Sequence, residues 1–311
     1  MRFLIELPTW LGDCIMSTPS IENLVRKNPE AEIIFIGSSS SIDLIKEHPN
    51  SIKTMVLDKQ VFSFYKFAKQ IGPVDFFISY RNSFRSKVLS FFVKTKKFYQ
   101  FKKKKFSSGH QVERYNNFIN LYFDLNTNPQ KLKIYHKQKE SKDFPGMVVG
   151  LNPGAKYGSS KCWPPDRYAE LACHLTKKYT VILFGGKDEE ILCSRILSLI
   201  PENSNQVINL AGQTSIKGLI NYIRNLDFLI TGDSGPMHIA AAFNVPTVSI
   251  FGPTKYKETS QWKNDYSIKI SLDLECQPCM KRECPLGHHK CMKGISVQDV
   301  LNGLNKLDRE L

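Results

Sequence analysis

Short apolar and β-branched runs alternate along the whole chain with segments long enough for a helix, and this alternation constrains the fold more than any other feature. The runs fall at residues 2–7, 32–36, 54–57, 74–79, 147–151, 180–184, 228–231 and 247–251. Strands joined by helix-length connections pair in parallel, with helices covering both faces of the sheet. The predicted class is α/β and doubly wound, and ligands of such sheets bind beyond the carboxyl ends of the strands. Loops that follow strands are therefore where chemistry is to be sought.

A chain of 311 residues, 41% of them apolar, is too long for one ordinary core and can fill two. Residues 131–145 are polar and charged, contain Lys137-Gln138-Lys139-Glu140-Ser141-Lys142-Asp143, and end just before the apolar run that begins at Met147. They divide the chain into predicted domains 1–145 and 146–295. Val297, Val300, Leu301, Leu304 and Leu307 recur at helical intervals. Residues 296–311 are thus expected to form a closing helix that packs back on the N-terminal domain.

Glu6 and Pro8 interrupt the first apolar run before any signal-peptide core develops, and no apolar stretch reaches the roughly 18 residues needed to span a bilayer. The expected location is the cytoplasm. Lysine and arginine total 43 against 29 acidic residues, a net charge of +14 that favours anionic partners. Seven lysines lie between Lys94 and Lys105, interleaved with Phe98, Tyr99 and Phe101. That stretch suits a strand with a solvated lysine face or a patch touching an anionic membrane surface. A non-catalytic nucleic-acid binder is the alternative class, but no helix-turn-helix, zinc-finger or RNP signature accompanies the charge, and no nucleic-acid partner is expected.

Eight cysteines in a chain without an export signal argue for reduced thiols or a metal site rather than disulfides. Cys276, Cys279, Cys284 and Cys291, with His288 and His289 nearby, have a spacing that matches no standard zinc arrangement. Reduced thiols and no metal are the expectation.

Four strand-to-helix loops carry the chemistry. After the first run, Trp10-Leu11-Gly12-Asp13 places a carboxylate at a helix start, where it serves as a cap or as a general base toward a hydroxyl. Asn152-Pro153-Gly154-Ala155 leads to Lys161-Cys162-Trp163-Pro164, with small residues and a lysine suited to a diphosphate. Gly185-Gly186-Lys187-Asp188-Glu189 follows another strand; Glu189 either complements a helix dipole or binds ribose hydroxyls. Gly232-Asp233-Ser234-Gly235-Pro236-Met237-His238 opens an alanine-rich helix whose first N–H groups suit a phosphate.

Neither Gly-x-x-x-x-Gly-Lys-Ser/Thr nor Gly-x-Gly-x-x-Gly follows any of these strands, which weakens ATPase and dehydrogenase readings. A hydrolase elbow fails too, because Gly235 stands one position early in Gly-x-Ser-x-Gly.

Taken in order, these loops, together with Asn209-Leu210-Ala211-Gly212 and Phe251-Gly252-Pro253-Thr254, resemble the ADP-heptose:lipopolysaccharide heptosyltransferases over essentially the whole chain. The resemblance implies the GT-B fold, two Rossmann-like doubly wound domains facing a central cleft, and an inverting transfer that needs no metal or other cofactor. It implies Asp13 as catalytic base and Lys161, Glu189, Asp233, Ser234, Gly235 and His238 as holders of the ADP-heptose donor. The cysteine segment looks like that of the family branch that extends a heptosyl-Kdo2-lipid A acceptor. The other branch, or a different nucleotide sugar, is the alternative within the family. Acceptor contacts are then expected from the N-terminal domain, where Arg81, Asn82 and Arg85, with His110 and Arg114, suit the phosphates and carboxylates of an inner-core saccharide.

Overall fold

The computed structural model describes residues 1–57, 64–137, 144, 146–201 and 207–310. The chain separates into two compact units, Met1–Lys137 and Gln138–Leu311. Residues 138–143 and 145 of the expected linker lie outside the described residues.

The first unit runs β1 (Arg2–Glu6), α1 (Leu11–Lys27), β2 (Glu32–Gly37), α2 (Ser39–Ile45), β3 (Ser51–Val56), α3 (Phe64–Ile71), β4 (Val74–Ser79), α4 (Phe84–Phe92), β5 (Thr95–Gln100) and α5 (Gln111–Phe123). Its five strands are parallel and ordered β3-β2-β1-β4-β5. The central strand β1 is buried from Phe3 to Glu6, as expected for a strand covered by helices on both faces. Leu4, Ile34, Phe77 and Leu89 meet in the core on one side of this sheet.

The second unit runs β6 (Val148–Asn152), α6 (Pro165–Leu175), β7 (Thr180–Leu183), α7 (Glu190–Ser198), β8 (Val207–Asn209), α8 (Ile216–Arg224), β9 (Phe228–Gly232), α9 (Gly235–Ala242), β10 (Thr247–Ile250), α10 (Tyr256–Thr259), β11 (Ser267–Ile270), α11 (Lys290–Lys293) and α12 (Val297–Glu310). Its six parallel strands are ordered β11-β10-β9-β6-β7-β8. Each sheet thus grows outward in both directions from its first strand, the doubly wound order, and reverses between β1 and β4 in one unit and between β6 and β9 in the other.

The closing helix α12 packs on β10, β11 and α6 of the second unit. Val300, Leu304 and Leu307 are buried with Val248 and Ile250 in the second core. Gly303 faces Ile268 and Ile270 closely enough that a Cβ there would crowd them. A helical stripe in the sequence says that a helix must bury one face, not which sheet will receive it.

Candidate functional site

Each sheet reverses its strand order at a pair of strand ends, and the residues there differ in chemistry. In the first unit, Glu6 ends β1 opposite Ser79, which ends β4. Glu6 is fully buried. Its Oε2 accepts the Ser79 hydroxyl at 2.6 Å, and its Oε1 lies 3.5 Å from the Arg81 guanidinium. Burial raises the Glu6 carboxyl above its usual range, against the opposing pull of Ser79, Ser86, Arg81 and Arg85.

Asp13 sits on the loop side of the same reversal, in the first turn of α1, with Trp10 as the N-cap residue. It is half-buried, and its Oδ1 accepts a hydrogen bond from the Tyr115 hydroxyl at 3.3 Å. Burial, and then the charge of Asp13, push the Tyr115 phenol well above its ordinary value. Tyr115 therefore stays protonated and donates, which fixes one oxygen of Asp13. The neighbouring Cys14 is buried and its thiol is pushed up to about 12, so it is no nucleophile at neutral pH.

The structure separates the expected acceptor residues into two kinds. Arg81 and Asn82 stand on the loop after β4, and Arg85 lies in the first turn of α4 with its guanidinium 5.1 Å from the Phe64 ring centre. His110 instead is the N-cap of α5: its Nδ1 accepts the Val112 N–H at 3.2 Å, while Glu113 reaches back to the His110 N–H at 2.7 Å. His110 is 5% exposed and Arg114 3%. Both side chains are thus held largely inside the first unit, whereas Asn82 is exposed.

In the second unit, Asn152 ends β6 opposite Thr231 of β9. The Asn152 amide donates to the Gly154 carbonyl at 3.1 Å, and more weakly to Ser234 Oγ at 3.3 Å. Thr231 and Ser234 share a hydroxyl contact of 3.0 Å. This network turns the Ser234 side chain away from capping, so the first N–H groups of α9, at Gly235 and beyond, receive no bond from it.

Lys161 ends a 3-10 turn at Ser159–Lys161, and its Nζ lies 2.7 Å from Asp233 Oδ2 and 3.0 Å from the Asp233 carbonyl. Both side chains are nearly buried, at 11% and 6% exposure. Thr259 donates to the same Asp233 oxygen at 3.4 Å, and the Tyr157 ring lies 4.7 Å from the ammonium. His238 is buried one turn into α9.

Glu189 accepts the Gly186 N–H at 2.6 Å, its side chain reaching back across the 3-10 turn Lys187–Glu189. Its carboxylate packs so closely on Gly154 that a Cβ at that position would collide with it. Burial raises the Glu189 carboxyl, against the Gly186 N–H.

The cysteine segment braces this site. Ser160 donates its N–H to the Arg282 carbonyl at 3.0 Å and its hydroxyl to the Lys281 carbonyl at 2.6 Å, and His289 Nε2 meets the Ser160 carbonyl at 2.8 Å. Cys276, Cys279, Cys284 and Cys291 border one small cavity and are free thiols. The Cys284 thiol is lowered, chiefly by the His289 N–H at 3.3 Å. Among the described residues no group of three or more His, Cys, Asp or Glu side chains is arranged to hold a metal ion.

Glu6, Tyr115, Asn152 and Thr231 were not singled out as site residues from the sequence. Glu6 and Asn152 end strands, Thr231 lies one residue before the end of β9, and Tyr115 belongs to a helix remote in sequence from Asp13.

The chain matches the family model described as glycosyltransferase family 9 (heptosyltransferase) over residues 64–290. It is similar to lipooligosaccharide heptosyltransferase 2 of Campylobacter jejuni, 39% identical over 316 aligned residues that cover 99% of this chain and 98% of that protein. The enzyme of the same name from Haemophilus ducreyi is 28% identical and covered to 99%, as is this chain. Among solved structures, Escherichia coli ADP-heptose lipopolysaccharide heptosyltransferase II superposes with a TM-score of 0.84 at 24% identity, each chain covered completely, a likeness of fold. By the family match and the full-length relative, the chain belongs to glycosyltransferase family 9, and its two doubly wound units are the GT-B fold.

Proposed function

We propose that this protein is a heptosyltransferase of the second type, moving a heptose from ADP-heptose onto a heptosyl-Kdo2-lipid A inner core with inversion at the anomeric carbon. The observation that carries the reading is 39% identity, over nearly the full length of both chains, to a lipooligosaccharide heptosyltransferase 2. The chemistry at the two strand-order reversals supports it.

In this reading Asp13, oriented by Tyr115, accepts the proton of the acceptor hydroxyl as that oxygen attacks the anomeric carbon. The bond from that carbon to the diphosphate breaks, and the leaving ADP carries the electron pair. Lys161 and the first N–H groups of α9 stabilise its charge, the task a metal performs in other sugar transferases. No metal or other cofactor is required. Asp233 holds Lys161 in place, Ser234, Gly235 and His238 shape the phosphate end, and Glu189 meets the ribose. Arg81, Asn82 and Arg85 bind phosphate or carboxylate groups of the acceptor.

Among the described residues no helix is long and apolar enough to cross a membrane. The proposed place of action is the cytoplasm, at the inner-membrane surface where a lipid-linked acceptor is presented. Incubation of the purified protein with ADP-heptose and heptosyl-Kdo2-lipid A should yield the diheptosylated product and one ADP per heptose. Equal turnover of an acceptor lacking the first heptose would assign the protein to the other branch of the family.

A further inference from the structure

The aromatic residues among the lysines of 94–105 turn inward. Tyr99 stacks on Tyr122 with ring centres 4.5 Å apart, Phe98 packs on Phe77 at 4.9 Å, and Phe101 is buried. The aromatics left outside stand one element earlier, on α4. Phe84 and Phe91 are 80% and 86% exposed, far more than large apolar side chains on a solvated helix need to be.

Positions 84, 87 and 91 share one face of a helix, so Phe84, Lys87 and Phe91 form an outward stripe while Ser86 and Leu89 face the core. On α3, which packs against α4, Tyr65, Lys66 and Lys69 are exposed. Between Asp75 and Glu113 the sequence holds ten lysines and arginines and no acidic residue. Lysines bordering exposed aromatics, without acids among them, are the composition of an element that lies in a membrane interface. The same charge disfavours a second copy of this chain as occupant, since a two-fold contact would set one basic face against another.

We propose that α4, flanked by α3, docks this protein on an anionic lipid surface, with Phe84 and Phe91 entering the boundary between headgroups and acyl chains and Lys87 and Lys94 meeting headgroup phosphates. The inference rests on the reading of the acceptor as lipid-linked and extends it. The loop bearing Arg81 and Asn82 runs directly into α4, whose N-cap is Ser83, so docking on this helix brings the proposed acceptor loop to the lipid surface.

The test is sedimentation of the full chain with vesicles of phosphatidylcholine alone or mixed with phosphatidylglycerol, for the wild type, F84S/F91S and K87E/K94E. The wild type should bind the anionic vesicles and not the neutral ones. F84S/F91S should weaken that binding about tenfold or more. K87E/K94E should weaken it and leave a shallower dependence on salt. Both variants should turn over a soluble, deacylated acceptor as the wild type does and lose rate only on vesicle-embedded acceptor.

Unchanged vesicle binding by F84S/F91S overturns the proposal, as does equal binding of the wild type to neutral vesicles. A wild-type dimer that F84S/F91S converts to a monomer without loss of vesicle binding assigns the stripe to self-association instead. Absence of heptose transfer to either acceptor by the wild type sinks the activity and leaves the vesicle result to stand or fall separately.

Discussion

The two units solve the same topological problem with opposite chemistry. Both sheets reverse at a pair of strand ends with side chains in contact, Glu6 with Ser79 in one and Asn152 with Thr231 in the other. The first pair is built on a buried carboxyl with arginines beside it, and a second carboxylate, Asp13, held by a phenol. The second is built on a neutral amide and two hydroxyls, with a lysine clamped by Asp233 and a helix N-terminus close by. Carboxylates take up protons and bind cations and hydroxyls; a lysine and free N–H groups favour anions. A shared fold therefore leaves the proposed division of labour, proton acceptor in one unit and diphosphate holder in the other, to a few residues near the strand-order reversals.

The comparison breaks most sharply at Asp13. Asp13→Asn should lower turnover about 10²–10⁴-fold while leaving ADP affinity unchanged by calorimetry. Near wild-type turnover would return Asp13 to a purely structural place in the first turn of α1, and loss of ADP affinity would move it to donor binding.

Next comes Lys161→Ala, which leaves Asp233 buried without its partner. It should cost about 3 kcal/mol or more in denaturant unfolding and abolish measurable ADP binding. Lys161→Ala/Asp233→Ala should recover part of the stability and none of the binding. Recovery of both would show that the pair is scaffold alone.

A smaller effect is expected at Gly154. Gly154→Ala pushes the Glu189 carboxylate off the Gly186 N–H, a loss of about 1 kcal/mol of the kind seen when a helix cap is removed. ADP affinity should fall with it if Glu189 meets the ribose, and adenine-free diphosphate binding should not.

The smallest effect is a pH profile at Glu6. Its folded carboxyl is raised above the ordinary value of 4.5, so between the two the native state holds more protons than the unfolded state and stability declines as pH rises. The stability of the wild type relative to Glu6→Gln should be greatest below that ordinary value, decline as pH rises toward the raised one, and then level off. A flat difference would mean that Ser79, Ser86 and the arginines offset burial completely.

The central strands were legible because they are buried on both faces and read as unbroken apolar runs, as in Phe3-Leu4-Ile5 or Phe228-Leu229-Ile230. The edges were less so. β3 is legible only at residues 54–57, and β5 only as one of two readings of the lysine stretch. β8 and β11 are not legible at all, since β8 is three residues long and β11 is Ser-Ile-Lys-Ile, patterns too short or polar to stand out from loops. The loops bearing Asp13, Lys161 and Asp233 were legible because each follows a central strand. Tyr115 was not, because the bond to Asp13 joins residues far apart in sequence.

The sequence by itself determined the class of fold, the approximate division into two units and the loops where chemistry gathers, since local periodicity and turn residues encode all three. Tertiary structure alone decided that His110 and Arg114 are buried, that α12 serves the second sheet, that Lys161 is locked to Asp233, and that the phenylalanines facing solvent are those of α4 rather than those among the lysines. Burial and pairing depend on what the rest of the chain packs against a residue, and a side chain's own neighbours in sequence carry little of that information.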